Sequence, residues 1–356
     1  MTGMMKTLVV EKDGTLQVRE VPVPRYTQTQ ALVKMISSGI CNGTDAKLIH
    51  KAFKGVEDDQ YPLMLGHEGV GEVVETGSRV TGLKPGDRVL LPFGVNDPEL
   101  YGDLHSVWGA FSEYAVVDDS RAKGSPVPEC AYAQTVLPDW VDPVDASMIV
   151  TLREVLSSIK RFGIRENNSV AVFGCGPVGM TFIRFLSLLG AHPIIAFDIK
   201  EEKLEEALKN GADYAFNSAR CDIPDTIHSI LPRGIDFTVD AVGYLPLINE
   251  SMKCLKDGGK TCCYGISPET EMKLEWAKAP YNWKLHFQQF PSKAEEGEAT
   301  AQILAWLKAG AISLKDFISD YFDCDHILDA FQKLAEKKIA GKGIVVYGDY
   351  REKYHF

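Results

Sequence analysis

Two short stretches hold residue types that can do chemistry. The first is Ser169-Val-Ala-Val-Phe-Gly174-Cys-Gly176-Pro-Val-Gly179, an apolar run that ends in G-x-G-x-x-G. A glycine triplet alone says little, but one that follows an apolar strand and opens a helix has the context that dinucleotide binding needs. Gly174 permits a tight turn, Gly176 lets backbone approach a pyrophosphate, and Gly179 lets the helix pack closely on the sheet. The helix N-terminus adds N–H donors and the positive end of its dipole. Asp198 lies 19 residues past Gly179, at the end of the next apolar run. A carboxylate there accepts hydrogen bonds from both ribose hydroxyls and repels a 2′-phosphate, so NAD is expected over NADP, a preference that Lys200 tempers. The alternative is a glycine-rich turn that only packs helix on sheet, with Asp198 a solvated acid.

The second stretch is Gly66-His67-Glu68-Gly69-Val70-Gly71, whose histidine follows Cys41 by 26 residues. Cysteine and histidine are the borderline-soft ligands that zinc favours, and a carboxylate completes a three-ligand catalytic site with one position open. The same residues also suit a packed histidine beside a glycine-rich strand, and spacing does not choose between the two.

The elements that must position these residues change character near residue 150. Before it, short β-rich runs at Thr7–Val10, Ala31–Ser37, Gly69–Thr76, Asp87–Leu91 and Ser112–Val117 predict an antiparallel, barrel-like domain. Residues Pro92–Gly109 are expected to be a long loop. After it, helical spacing at Ala146–Phe162, Thr181–Leu189, Glu201–Asn210 and Leu245–Leu255 alternates with strands at Ser169–Phe173, Pro193–Phe197, Asp236–Val239 and Lys260–Tyr264. That alternation predicts a parallel, doubly wound sheet. Helices over Ala299–Leu307 and Ile327–Lys337 and a strand over Gly343–Tyr347 follow.

With 356 residues, the chain exceeds the ~250–300 at which one hydrophobic core stops growing, so two domains are expected. A net charge of −11 repels phosphate backbones and anionic lipid, which argues against nucleic-acid or membrane partners. No apolar stretch approaches the ~20 residues that span a bilayer. Eight scattered cysteines without a C-x-x-C pair suggest a reduced, cytoplasmic setting.

Gly66-His67-Glu68-x-x-Gly71-x5-Gly77-x2-Val80, followed by Lys84-Pro-Gly-Asp-Arg-Val89, resembles the signature of zinc-containing medium-chain alcohol and polyol dehydrogenases. The resemblance continues through Gly174-Cys-Gly-Pro-Val-Gly179, Asp198 with Lys203, Val239-Asp-Ala-Val-Gly243 and Gly341-Lys-Gly-Ile-Val-Val346. It implies an α/β protein: a GroES-like β-barrel catalytic domain over 1–151 and 295–356, and a Rossmann domain over 152–294. It implies NAD held by Gly174, Gly176, Pro177, Val178, Gly179, Asp198 and Lys203, and a zinc ion held by Cys41, His67 and a third ligand. Sorbitol-type members supply that ligand from a Glu-Pro pair, which aligns here with Val150-Thr151, and valine cannot ligate. Glu68 is then expected to be the third ligand, ahead of Glu154. Adjacent side chains of a regular strand point opposite ways, so Glu68 joins His67 only if the backbone is irregular there.

The family's C-x-[Ser/Thr]-Asp-x-His pattern becomes Cys41-Asn-Gly-Thr44-Asp45-Ala-Lys47 with one inserted residue. Thr44 then takes the proton-relay hydroxyl, with Lys47 or His50 at the outer end; without the insertion Gly43 would occupy that position. The stretch Phe93–Gly109 lacks the four cysteines of a structural zinc lobe, so one catalytic zinc and no structural zinc is expected. Tyr101, Trp108 and Phe111 face the substrate, or pack in the core or an oligomer contact. The resemblance implies a small-molecule alcohol or ketone as substrate, with secondary polyols or sugar derivatives favoured, and a homo-oligomer, dimer or tetramer, with Trp283–Phe290 a strand that could pair between subunits. Competing expectations are a zinc-free enone or quinone reductase, transient oxidation with recycled NAD, and an NAD-binding protein without catalysis.

Overall fold

Strand-forming, β-branched and apolar residues in the N-terminal stretch build two sheets, and the far end of the chain supplies part of one of them. The computed structural model describes residues 3–122, 126–269, 271–354 and 356. The chain divides into two compact units, one of Met1–Arg153 with Ser292–Phe356, the other of Glu154–Pro291. No helix among the described residues is long and apolar enough to cross a membrane.

In the first unit the central strand is Gln30–Ile40, nearly all of it buried. It pairs antiparallel with Glu68–Thr76, with Tyr114–Asp118 and with Lys342–Val346, and Ile318–Asp323 runs parallel to the last of these. Two alignments matter for the chemistry: Gly39 stands opposite Glu68, and Gly343 stands opposite Ile40. They carry Glu68 and Lys342 to the same end of the strand that leads into Cys41. A second sheet has Leu16–Pro22, Met4–Val10, Leu63–Met64 and His105–Ser106 in that order. Leu8, Val33, Met35, Phe111, Phe331 and Val345 form the core beneath. Among the buried ionic groups of this unit, Arg153 Nε lies 3.5 Å from Glu296 Oε2, tying its two chain segments together.

The expected loop over Pro92–Gly109 is more ordered than its lack of periodicity suggests. It contains the helix Pro98–Tyr101, whose Asp97 cap accepts from the Leu100 N–H, and the strand His105–Ser106 paired parallel to Leu63–Met64. Tyr101 and Leu104 are buried against Met5 and Val9, and Phe111 is core as well. Elements of four and two residues are too short to show a period; contact with the rest of the unit holds them.

The second unit is a six-stranded parallel sheet in the order Tyr214–Asn217, Ile194–Asp198, Val170–Phe173, Ile235–Asp240, Leu255–Cys263, Lys284–Phe287. Strand order reverses beside Val170–Phe173, the first of these in sequence. A crevice opens at the carboxyl end of strands at such a reversal, where ligands of doubly wound sheets bind. The strand Tyr214–Asn217 and the helix Ile223–Ile230 were not anticipated. The helix has a local signal in Asp222-Ile-Pro-Asp225: the Asp222 side chain accepts from the Asp225 N–H, and Pro224 sits in the first turn.

Candidate metal centre and nucleotide turn

Cys41 directly follows the central strand of the first unit, and the helix Thr44–Ile49 starts three residues later. His67 precedes the strand Glu68–Thr76 and follows Gly66, whose φ of +99° turns the chain. A side chain at residue 66 is excluded, because a Cβ would lie 2.4 Å from the Phe111 nitrogen. The backbone is therefore irregular at 66–67, and His67 and Glu68 reach the same place although they are adjacent. One ligand atom from each of Cys41, His67 and Glu68 lies within 4.8 Å of the others, against about 3.4–3.8 Å between donors around a tetrahedral zinc. Among the described residues no other group of three such side chains comes together this closely.

Asp45 organises two of the three donors. Its Oδ2 accepts the Cys41 N–H at 2.9 Å, and its Oδ1 lies 3.5 Å from His67 Nδ1. Both Oδ1 and Nδ1 are buried with no other hydrogen-bond partner. In the neutral imidazole, a proton on Nδ1 directed at Asp45 leaves the Nε2 lone pair free for a metal, and Nε2 is 3.8 Å from Glu68 Oε1. That is the second layer of interactions that orients a ligating histidine. Burial opposes a charged imidazole, but Asp45 and Cys41 outweigh it and raise the His67 pKa well above its usual value. The Trp108 ring packs 5.3 Å from the imidazole and 5.9 Å from Phe53. Asp45→Ala is expected to weaken zinc binding by about 10–100-fold while the chain stays folded; chelator competition measures it.

Glu68 is buried and accepts three hydrogen bonds from two residues. Lys342 Nζ donates to Oε1 at 2.8 Å and to Oε2 at 2.7 Å, and Thr151 Oγ1 donates to Oε1 at 3.1 Å. Gly39 leaves the room: a Cβ there would stand 2.4 Å from Oε2. Burial pushes the carboxyl up, yet Lys342 and His67 more than offset it and keep Glu68 below the ordinary glutamate value. Neither Lys342, Thr151 nor Asp45 was singled out as a site residue from sequence. Lys342 had a signal, a lysine heading the otherwise apolar strand Lys342–Val346, every residue of which is buried. A buried ammonium requires a carboxylate.

Val150 is fully buried beside Thr151. Glu154 does not join the three-donor group. Thr44 is buried on the first turn of its helix. Lys47 donates to the Gly43 carbonyl at 3.3 Å, with burial lowering its pKa, and His50 is exposed at the helix end. Thiol, imidazole and carboxylate together form a donor set that suits zinc.

In the second unit, Gly174 follows the strand Val170–Phe173 with φ +88°, and Gly176 precedes the helix Pro177–Leu188. A Cβ at Gly179 would lie 1.8 Å from the Gly174 carbonyl oxygen, whereas one at Gly176 would meet nothing within 4 Å. The first position is closed by the protein itself. The second opens onto free space at a helix N-terminus, as a phosphate cradle requires. Pro177 and Val178 form the first turn of that helix. Asp198 ends the strand Ile194–Asp198; its Oδ2 accepts the Cys175 N–H at 2.7 Å and its Oδ1 the Lys200 N–H at 2.9 Å. Lys203 lies in the first turn of Glu201–Lys209 and bonds Glu206 at 2.7 Å. Burial raises the Cys175 thiol to about 12, consistent with a small packing residue inside the turn. These residues fit a dinucleotide.

The sequence matches two known families, the alcohol dehydrogenase GroES-like domain over residues 27–128 and the zinc-binding dehydrogenase domain over residues 177–301. It is similar to an alcohol dehydrogenase of Cupriavidus necator, 26% identical over 95% of this chain and 97% of that one. It is also similar to a sorbitol dehydrogenase of Gallus gallus, 28% identical over 75% of this chain and 77% of that one. Among solved structures, an alcohol dehydrogenase zinc-binding domain protein from Burkholderia ambifaria shares the fold, with a TM-score of 0.83, 19% identity, and coverage of 98% of this chain and 100% of that one.

Proposed function

The chain belongs to the zinc-type alcohol and polyol dehydrogenases of the medium-chain superfamily and is an oxidoreductase, and we propose that it interconverts a secondary alcohol of the polyol or sugar-derived class and its ketone, with NAD as cofactor and one zinc ion on Cys41, His67 and Glu68. The observation that carries this reading is the convergence of those three donors within 4.8 Å. When bound, zinc supplies Lewis acidity to the substrate oxygen and the nicotinamide exchanges the hydride.

The chain's own residues do the rest. Asp45 orients His67, and Lys342 and Thr151 orient Glu68. The contact between Asp45 and His67 supports the alignment with one inserted residue, since Asp45 then fills the aspartate of the C-x-[Ser/Thr]-Asp pattern. Thr44 follows as the hydroxyl that passes the substrate proton outward. The N–H groups at the start of Pro177–Leu188 receive the pyrophosphate, and Asp198 receives the adenosine ribose. The resemblance to sorbitol dehydrogenases supports the polyol class. Phe93–Gly109 offers no thiolate for a second, structural zinc.

Metal analysis of the purified chain together with NAD-linked turnover over a panel of polyols, sugar derivatives and simple alcohols tests this. One zinc per chain and NADH formation from secondary polyols are expected. Undiminished turnover without zinc would remove the metal from the mechanism, and turnover confined to primary alcohols would remove the polyol class. Asp198→Ala is expected to raise the KM for NAD about tenfold, the loss of a charge-assisted hydrogen bond pair to the ribose, and to lower the KM for NADP, because the repulsion of the 2′-phosphate goes with the carboxylate.

A further inference from the structure

Glu68 has two competing obligations. As a zinc ligand it must offer a lone pair to the cation, yet both of its oxygens already accept from Lys342 and one also accepts from Thr151. A carboxylate has about four lone-pair sites, and those three donors occupy most of them. Lys342 is placed to do this by its backbone: it heads a fully buried strand that pairs with the end of the central strand next to Cys41.

We propose that Lys342 is a positioning residue that competes with the metal for Glu68 and holds the zinc affinity of the Cys41–His67–Glu68 group below what its donors would otherwise provide. The inference rests on the zinc reading given above. Lys342 has two opposed effects. It fixes the Glu68 carboxylate, which favours coordination, and it places a positive charge against the same oxygens, which disfavours a second cation. The second effect wins, because Glu68 is oriented without the lysine: the Thr151 hydroxyl holds Oε1, and Oε2 lies over Gly39, where no side chain intervenes. The ammonium contributes charge that a divalent cation itself would supply. With zinc bound through a Cys41 thiolate and a neutral His67 imidazole, Glu68 and Asp45 negative and Lys342 positive, the buried group and the divalent ion sum to neutrality. Removing Lys342 shifts that compensation onto the metal, which is then bound more tightly.

The test is zinc affinity of the full chain, measured by competition with a chromophoric chelator at one pH, for the wild type, Lys342→Met, Lys342→Gln and Lys342→Arg. Circular dichroism and a thermal midpoint verify the fold. Met and Gln are expected to bind zinc at least ~10-fold more tightly, and Arg, which keeps the charge, within about threefold of the wild type. Lys342→Gln retains a hydrogen bond to Glu68 and decides the question if Lys342→Met does not fold. A wild-type chain that binds no zinc would overturn the metal reading itself. A wild-type chain that binds zinc, with folded Gln or Met variants binding equally or less tightly, would overturn this proposal alone.

Discussion

Cys41→Ala is expected to abolish stoichiometric zinc and to lower kcat/KM by at least ~10³-fold, about 4 kcal/mol of transition-state stabilisation. Three features make the effect large. In the proposed site Cys41 supplies the thiolate, the donor that most favours zinc over harder cations. Glu68, which would have to compensate, is already engaged by Lys342 and Thr151. Among the described residues no second thiol stands in the group. The fold should survive, because Cys41 is only partly buried at the end of its strand and its N–H bond to Asp45 belongs to the backbone. Metal content, NAD-linked kinetics and a thermal midpoint measured on one preparation give the answer. Retained zinc with activity within tenfold of the wild type would exclude Cys41 as a ligand.

A second large effect is expected at the glycine turn, where two positions in one motif should fail in different ways. Gly179→Ala places a Cβ 1.8 Å from a backbone oxygen, a contact that no rotamer relieves. The helix Pro177–Leu188 must then withdraw from the turn, at a cost of at least ~3 kcal/mol. Gly176→Ala meets no protein atom within 4 Å, so stability should hardly change. Both variants are expected to lose NADH affinity by ~100-fold or more, since backbone must approach the pyrophosphate at one position and the helix must keep its place at the other. NADH fluorescence titration and urea denaturation separate the two. A Gly176→Ala variant with wild-type NADH affinity would show that the open space there is not the phosphate cradle. Zinc content should be unaffected by either change.

The glycine turn was legible in the sequence because everything it needs is contiguous. Strand, three glycines and helix start lie within eleven residues, and each glycine answers to a local constraint: a positive φ at 174, a close approach at 179, open space at 176. The parallel sheet was legible for a similar reason, since alternating periods are a property of neighbouring residues. The short elements within Pro92–Gly109 were not, because four- and two-residue pieces have no period and are held by contacts with residues distant in sequence.

The candidate metal centre divides along the same line. Residue types alone nominated Cys41, His67 and Glu68, because thiol, imidazole and carboxylate have their affinities wherever they stand. The direction in which two adjacent side chains point did not follow from their order. It was decided by Gly66 at φ +99°, which takes His67 out of the strand that Glu68 begins. Asp45 entered through a turn of chain that closes on Cys41. Lys342 carried a signal as a lysine heading an apolar strand, but its partner, a carboxylate 274 residues away, was set by sheet register. Donor chemistry is a property of a residue and is written in the sequence. Convergence of donors and the charge of their surroundings are properties of distance, and for residues so far apart along the chain only the tertiary structure sets it.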